Sequence, residues 1–257
     1  GVPAEAPVVW LFGGSPAWGE GQRDEHTIAS ELALLAAEGG TPVQVVNWAQ
    51  RGDTAFVSAQ RFERAVAHNP APALALFLDG PDDLNVQAES LTGNPSQYGL
   101  EETEQAVEAD NRTWWQHYED TSALFAVGQR IRSVFAVTPA WAQDGTTTQV
   151  RSAEVAAAAA DVYDRSRVMA DIVATNASVP ARFFWLPVAA SDDRNSTYRD
   201  AAGRLGPEVT VLAALDESDG PVFLDGVHTN EAGARQVAEA LYERLRSALA
   251  DERSGQG

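Results

Sequence analysis

Five short apolar runs recur along the chain, and four of them are followed directly by glycine or a polar residue. Runs of this length, apolar at nearly every position, are typical of parallel strands that helices cover on both faces. The sequence therefore predicts strands at residues 8–12, 43–46, 73–78, 134–137 and 182–186.

The segments between these runs carry the spacing of amphipathic helices. Ile28, Leu32 and Leu35 form an apolar stripe that stops at Gly39-Gly40, a pair typical of a helix end. Similar spacing covers residues 54–67, 152–175 and the segment after Thr229. Alternating strands and helices predict an α/β fold, a three-layer α/β/α sandwich around a mainly parallel, about five-stranded sheet.

Length and composition favour one domain. The chain has 257 residues, of which 44% are hydrophobic, enough for a substantial core. We expect a single domain over residues 8–250, with residues 1–7 as a linker or remnant and residues 251–257 as a disordered tail. The Pro/Ala-rich start indicates a detached extracytoplasmic or secreted domain, while a cytoplasmic location stays open.

Charge and residue usage exclude several classes of function. The formal net charge is −19, which argues against nucleic acid or an anionic membrane surface as a partner. The chain contains no cysteine, which excludes disulfides, thiolate metal sites and a cysteine nucleophile. No apolar run approaches the roughly 20 residues that a membrane-spanning helix needs. The oligomeric state stays open.

Polar residues follow three of the predicted strands and precede the last helix. These segments are Gly13-Gly14-Ser15, residues 47–52, residues 79–83 and residues 225–228. Because the carboxyl ends of parallel strands share one edge of the sheet, we expect the four segments to border one cleft.

Ser15, Asp225 and His228 supply the parts of a catalytic triad. A serine hydroxyl becomes a good nucleophile when an imidazole takes its proton, and a carboxylate fixes the tautomer of that imidazole. The spacing of Asp225 and His228 lets one short loop deliver both. Glycines such as Gly52 allow backbone N–H groups to approach a developing oxyanion.

Four blocks resemble the SGNH (GDSL-type) hydrolases, in order: FGGS, VNWAQRG, DGPDD and DGVHTNEAGARQVAEAL. The resemblance implies a flavodoxin-like fold, a Ser15-His228-Asp225 triad and an oxyanion hole at Ser15, Gly52 and residue 82. Two positions depart from the family pattern: Gly14 replaces the aspartate of G-D-S, and Asp82 replaces the asparagine that donates to the oxyanion. Three alternatives follow: Asp82 is protonated and donates, the backbone amides suffice, or the site is weakened.

Other polar and aromatic residues are weaker candidates. Trp18, Asn47 and Trp141 are candidates for lining the cleft. His117 lies in an aromatic cluster, Trp114-Trp115-Gln116-His117-Tyr118, and is the one rival base. The pairs Asp82-Asp83 and Asp192-Asp193 lack the spacing of a metal motif and indicate solvated charge, so we expect neither a metal nor a cofactor.

The sequence therefore predicts a serine-dependent esterase acting on a small-molecule or glycan ester through an acyl-enzyme. One alternative is an O-acyltransferase or deacetylase domain for cell-envelope glycans, which the resemblance allows. Another is a catalytically weakened carbohydrate-binding module, which Asp82 motivates.

Overall fold

The protein is described from a computed structural model, which covers residue 3, residues 5–91, residue 93 and residues 145–254. At residues 90, 145–150 and 247–254 only the backbone is described. Residues 1–98 and 154–257 form one compact unit, and residues 99–153 form another. The strand predicted at 134–137, the cluster Trp114–Tyr118 and Trp141 all lie outside the described residues.

A five-stranded parallel sheet forms the centre of the larger unit. Its strands are β1 (Val8–Gly13), β2 (Gln44–Asn47), β3 (Leu74–Asp79), β4 (Ala181–Trp185) and β5 (Val209–Val211). The strand order is β2-β1-β3-β4-β5, and all four neighbouring pairs are parallel. This order is the flavodoxin-like one, and it places a topological switch point between β1 and β3. The predicted α/β class and the parallel sheet are confirmed.

Strand β5 is not among the five strands that the sequence predicts. The strand has only three residues, Val209 is buried and Val211 is exposed. A run this short at the edge of a sheet carries no measurable periodicity, which explains the miss.

Seven α-helices accompany the described strands. They are α1 (Ser15–Trp18), α2 (Ile28–Glu38), α3 (Ala55–His68), α4 (Pro81–Ser90), α5 (Gly145–Ala177), α6 (Asn195–Ala202) and α7 (Glu231–Ser254). Thr27 caps α2 by accepting a hydrogen bond from the Ser30 N–H at 3.2 Å. Helix α7 continues to Ser254, so residues 251–254 are helical and the tail expected from 251 was placed too early. The charged residues there are compatible with a helix, because Glu and Arg are good helix formers.

The core lies on both faces of the sheet. Val9 and Leu11 point into an apolar cluster with residues of α2 and α7, whereas Trp10 and Phe12 point into a second cluster with residues of α3 and α5. Successive residues of a strand face opposite sides, so a run that is apolar at every position requires a helical layer on each side. The three-layer sandwich therefore follows from the unbroken apolar character of β1. Among the described residues, no helix is both long and apolar enough to cross a membrane.

Candidate active site

Ser15 is the first residue of α1, directly after strand β1. Gly13 adopts a φ of +152°, which lets the chain turn sharply between the strand and the helix. Pro16 suits the first turn of a helix because its missing N–H would have no partner there. The side chain of Ser15 is therefore presented at the carboxyl edge of the sheet, and Ser15 is 9% exposed.

His228 and Asp225 meet Ser15 in a chain of two hydrogen bonds. His228 Nε2 lies 2.8 Å from Ser15 Oγ, and His228 Nδ1 lies 2.7 Å from Asp225 Oδ2. A carboxylate only accepts hydrogen bonds, so the bond to Asp225 requires the proton of the ring on Nδ1 and leaves Nε2 as an acceptor. The imidazole is thus in the tautomer that can take the proton of the Ser15 hydroxyl.

The loop that carries both residues is fixed by its own turn. Asp225 Oδ1 accepts hydrogen bonds from the N–H groups of Val227 and His228, each at 2.8 Å. Partial burial raises the pKa of Asp225, but its hydrogen bonds with His228 and Val227 outweigh that effect, so the pKa lies below its ordinary value. Asp225 is therefore ionised when it faces the imidazole.

A second contact holds the loop beside the nucleophile segment. Gln22, four residues beyond α1, donates from Nε2 to the carbonyl and the hydroxyl oxygens of Thr229 at 2.8 and 2.9 Å. Thr229 directly follows His228. The sequence analysis did not single out Gln22, because a lone glutamine in a glycine-rich segment carries no motif.

Asp82 lies in the first turn of α4 and is 5% exposed. Burial raises its pKa to about 6, while hydrogen bonding with the Ser15 N–H, the charge of His228 and the side chain of Asn85 act in the opposite direction. The carboxyl group of Asp82 therefore accepts a hydrogen bond from the backbone N–H of Ser15.

Asp83 is buried as well, so the expectation of solvated charge at Asp82-Asp83 was wrong. Asp83 accepts hydrogen bonds from the N–H groups of Ala55 and Gly80, at 3.1 Å each. Ala55 is the first residue of helix α3, and Gly80 directly precedes helix α4. Two helix N-termini supply donors and positive dipole ends, which compensate the burial of this carboxyl. Burial still raises the pKa of Asp83 to about 7.

The loop that follows β2, residues 48–52, reaches the same edge of the sheet. The Gln50 N–H donates to the Gly13 carbonyl at 3.0 Å, and Gly52 adopts a φ of +74° in the turn that follows. This places Gly52 near the strand end that leads into Ser15. The next residue, Asp53, is buried and paired with Arg61 at 2.8 Å.

Asn47 and Trp18 differ in how well they suit a lining role. The Asn47 amide donates to the carbonyl of Ala17 at 3.0 Å, and its oxygen accepts the Ala49 N–H at 3.0 Å. Both ends of that side chain hydrogen-bond to the backbone, so Asn47 holds α1 in place, and its role in lining the cleft stays a prediction. Trp18 is 43% exposed and has the Arg51 guanidinium 5.3 Å above its ring. Trp18 remains a candidate for the rim of the cleft.

An open groove of about 510 Å³ lies beside the loop that carries Asp225 and His228. The residues that line it are mostly acidic or apolar and include Asp192, Asp193, Glu217, Phe223, Leu224 and Asp225. Its volume falls within the range that small-ligand sites occupy. Within the part of the chain that the structure describes, no group of three or more His, Asp or Glu side chains is arranged to hold a metal ion.

Solved structures of SGNH (GDSL-type) proteins share the fold of this chain. Two solved structures of the lipolytic G-D-S-L family have TM-scores of 0.51. The protein from Veillonella parvula DSM 2008 is 13% identical, over 92% of this chain and 96% of that one. The protein from Desulfitobacterium hafniense DCB-2 is 11% identical, over 92% and 98%.

A third solved structure is the family 3 carbohydrate esterase of Clostridium thermocellum. Its TM-score is 0.52 and its identity is 14%, over 96% of this chain and 98% of that one. Identities this low establish a common fold and no more. No protein-family model matches the chain, and no curated protein matches it.

Proposed function

We propose that the protein is a serine-dependent carboxylic ester hydrolase with Ser15 as its nucleophile. The observation that carries the proposal is the unbroken chain of hydrogen bonds from Asp225 through His228 to Ser15 Oγ. Three side chains from two distant segments, aligned in this order, are the arrangement that activates a serine hydroxyl. The fold shared with lipolytic proteins and a carbohydrate esterase supports the same reaction class.

The reaction begins with attack of Ser15 Oγ on the ester carbonyl carbon. His228 Nε2 takes the hydroxyl proton, and Asp225 stabilises the resulting imidazolium through Nδ1. The carbonyl electrons move onto oxygen, and the N–H groups of Ser15 and Gly52 are the proposed donors to the developing charge, with Asp82 as the third residue of the proposed oxyanion hole. Collapse expels the alcohol, which receives the proton from His228. Water then repeats the sequence on the acyl-enzyme and releases the acid.

The groove beside Asp225 favours an O-acylated carbohydrate as the substrate. It is open, is lined by Asp225 and Gly226 of the loop that carries His228, and combines carboxylates with the aromatic ring of Phe223. Carboxylates accept hydrogen bonds from sugar hydroxyls, and an aromatic face covers the apolar side of a sugar ring. The same groove accommodates a sugar acceptor, so an O-acyltransferase or a glycan deacetylase is the second candidate function.

The test is hydrolysis of p-nitrophenyl acetate by the wild-type protein, Ser15→Ala and His228→Ala. Each variant removes one partner of the 2.8 Å hydrogen bond, and we expect each to lose about 10³-fold or more in kcat. Activity of either variant close to that of the wild type would contradict the assignment. Adding an acylated-sugar donor with and without a second sugar then separates transfer from hydrolysis, because only transfer yields a new acylated sugar.

A further inference from the structure

Gln22 links the segment that carries the nucleophile to the loop that carries the base. Its Nε2 donates to the carbonyl oxygen of Thr229 at 2.8 Å and to the hydroxyl oxygen of Thr229 at 2.9 Å, although the two residues are 207 positions apart. A carbonyl oxygen only accepts hydrogen bonds, so the NH₂ end of the amide is the end that faces Thr229. Thr229 is 3% exposed, so both acceptors belong to a buried residue with little competition from water.

The loop on the base side is held in one shape by its own backbone. The Leu224 N–H donates to the His228 carbonyl at 2.7 Å, which closes the loop around Asp225. Phe223 and Thr229 pair beside this bond as an antiparallel bridge. A shift of Thr229 is therefore passed on to His228, its neighbour in the chain.

Backbone hydrogen bonds also connect Gln22 to the nucleophile. The N–H groups of Gly19 and Glu20 donate to the Ser15 carbonyl at 3.2 Å each, and the Gln22 N–H donates to the Gly19 carbonyl at 3.0 Å. Gly19 adopts a φ of +104°, the left-handed conformation that ends α1 and turns the chain back. Gln22 is therefore fixed to Ser15 through two consecutive turns.

We propose that Gln22 is a positioning residue that holds His228 Nε2 within hydrogen-bond distance of Ser15 Oγ. The inference rests on the proposed function. The bonds of Gln22 to Thr229, with the backbone bonds on either side, close a ring around the 2.8 Å contact between nucleophile and base. That contact cannot keep its own geometry through the reaction, because Ser15 Oγ leaves it to bond with the substrate carbonyl. A misplacement of about 1 Å costs about 100-fold in rate, so the loss of Gln22 affects the chemical step.

An ion pair between neighbouring residues provides the matched control. Arg23 donates to both carboxylate oxygens of Glu231, at 2.7 and 2.8 Å, and so joins the same two segments. The Arg23 side chain is 65% exposed, and an ion pair this exposed contributes little because water screens it. The bonds of Gln22 end on a buried residue instead. The two links therefore differ in exposure and not in what they connect.

The orientation of Thr229 separates positioning from packing. Its methyl group faces α7, since a Cβ added to Gly233 would lie 3.1 Å from Thr229 Cγ2, whereas its hydroxyl group faces Gln22. Thr229→Val keeps a methyl group there and removes the hydroxyl. Thr229→Ser keeps the hydroxyl and removes the methyl. A positioning role and a packing role therefore predict opposite orders of activity for the two variants.

The experiment measures kcat and KM for p-nitrophenyl acetate in the wild type, Gln22→Met and Arg23→Gln. Methionine has the length of glutamine and donates no hydrogen bond. We expect Gln22→Met to lose about 100-fold in kcat with KM within about twofold of the wild-type value, and Arg23→Gln to keep both constants. A wild-type kcat in Gln22→Met, or an equal loss in Arg23→Gln, overturns the inference.

The two Thr229 variants keep the test decisive if Gln22→Met does not fold. We expect kcat to fall about tenfold in Thr229→Val, which retains the carbonyl acceptor and loses the other. Thr229→Ser should keep the wild-type kcat and unfold at a lower urea concentration, because it loses a buried methyl group. A kcat in Thr229→Val that equals or exceeds that of Thr229→Ser contradicts the positioning role.

The double variant and Ser15→Ala complete the test. In Gln22→Met the Thr229 hydroxyl has lost its donor, so adding Thr229→Val should cost no further activity, and a further tenfold loss would contradict the inference. If Ser15→Ala is active, the proposed function fails. If Ser15→Ala is inactive and Gln22→Met has the wild-type kcat, only the role of Gln22 fails.

Discussion

His228 Nε2 lies 2.8 Å from Ser15 Oγ, although 213 residues separate the two in the sequence. The fold achieves this because β1 delivers Ser15 to the carboxyl edge of the sheet and the loop before α7 returns to the same edge. The two hydrogen bonds from Gln22 to Thr229 tie the segments together beside this contact. The proposed activation of Ser15 requires this contact and the Asp225 carboxylate that holds the other side of the imidazole.

Replacing Asp225 with asparagine tests whether that carboxylate positions His228. An amide can donate to Nδ1 and so permits the wrong tautomer of the imidazole, and we expect kcat to fall about 10³- to 10⁴-fold while KM changes little. Asp216→Asn is the matched control, because Asp216 also caps a short turn, accepting the Ser218 N–H at 2.9 Å. Steady-state kinetics in which both variants retain the wild-type kcat would contradict the positioning role.

Gly14 is expected to tolerate no side chain. A Cβ at residue 14 would overlap with Asp82 Oδ2 and lie 2.8 Å from the Asp53 carbonyl oxygen. We therefore expect Gly14→Ala to lower the free energy of unfolding by about 1–3 kcal/mol, measured by urea denaturation. Gly203→Ala is the control, because a Cβ there meets nothing closer than 3.5 Å and φ is −67°. Equal stability of the two variants would show that residue 14 is not confined in this way.

Asn47→Ala distinguishes a positioning residue from a residue that lines the cleft. The variant loses the hydrogen bonds to the Ala17 carbonyl and from the Ala49 N–H, so we expect a loss of about 1–3 kcal/mol in stability. If Asn47 only holds α1, KM for p-nitrophenyl acetate stays near the wild-type value and kcat falls. An increase in KM with unchanged kcat and unchanged stability would support the lining role instead.

Much of the fold follows from the sequence because the signals are local. The apolar runs that became β1 and β3 are continuous, and both strands are buried almost throughout, so composition alone indicates a parallel strand. Strands β2 and β4 are only partly buried, and their sequence signal is weaker. Strand β5 cannot be predicted from such a local pattern. Its position beside β4 depends on pairing with Phe183–Trp185, which is a long-range contact that no local pattern records.

The sequence predicts the residue types of the candidate site but not which of its carboxyl groups are buried. Ser15, Asp225 and His228 could be found because their chemistry demands those residue types at strand ends. The burial of Asp82 and Asp83 could not, since a pair of aspartates is normally solvated and only the meeting of α3 and α4 supplies donors for Asp83. The contact of Arg194 with Asn85 also depends on tertiary structure, because the two residues lie on separate elements.

Covalent labelling tests the central claim, that Ser15 is an activated nucleophile, without requiring the natural substrate. A fluorophosphonate probe should add one phosphonyl group to the wild-type protein at about pH 6, and peptide mass spectrometry should locate it on Ser15. Ser15→Ala should remain unlabelled, and His228→Ala should react at least about 10²-fold more slowly. A wild-type protein that stays unlabelled, or that carries its adduct on another residue, would contradict the account.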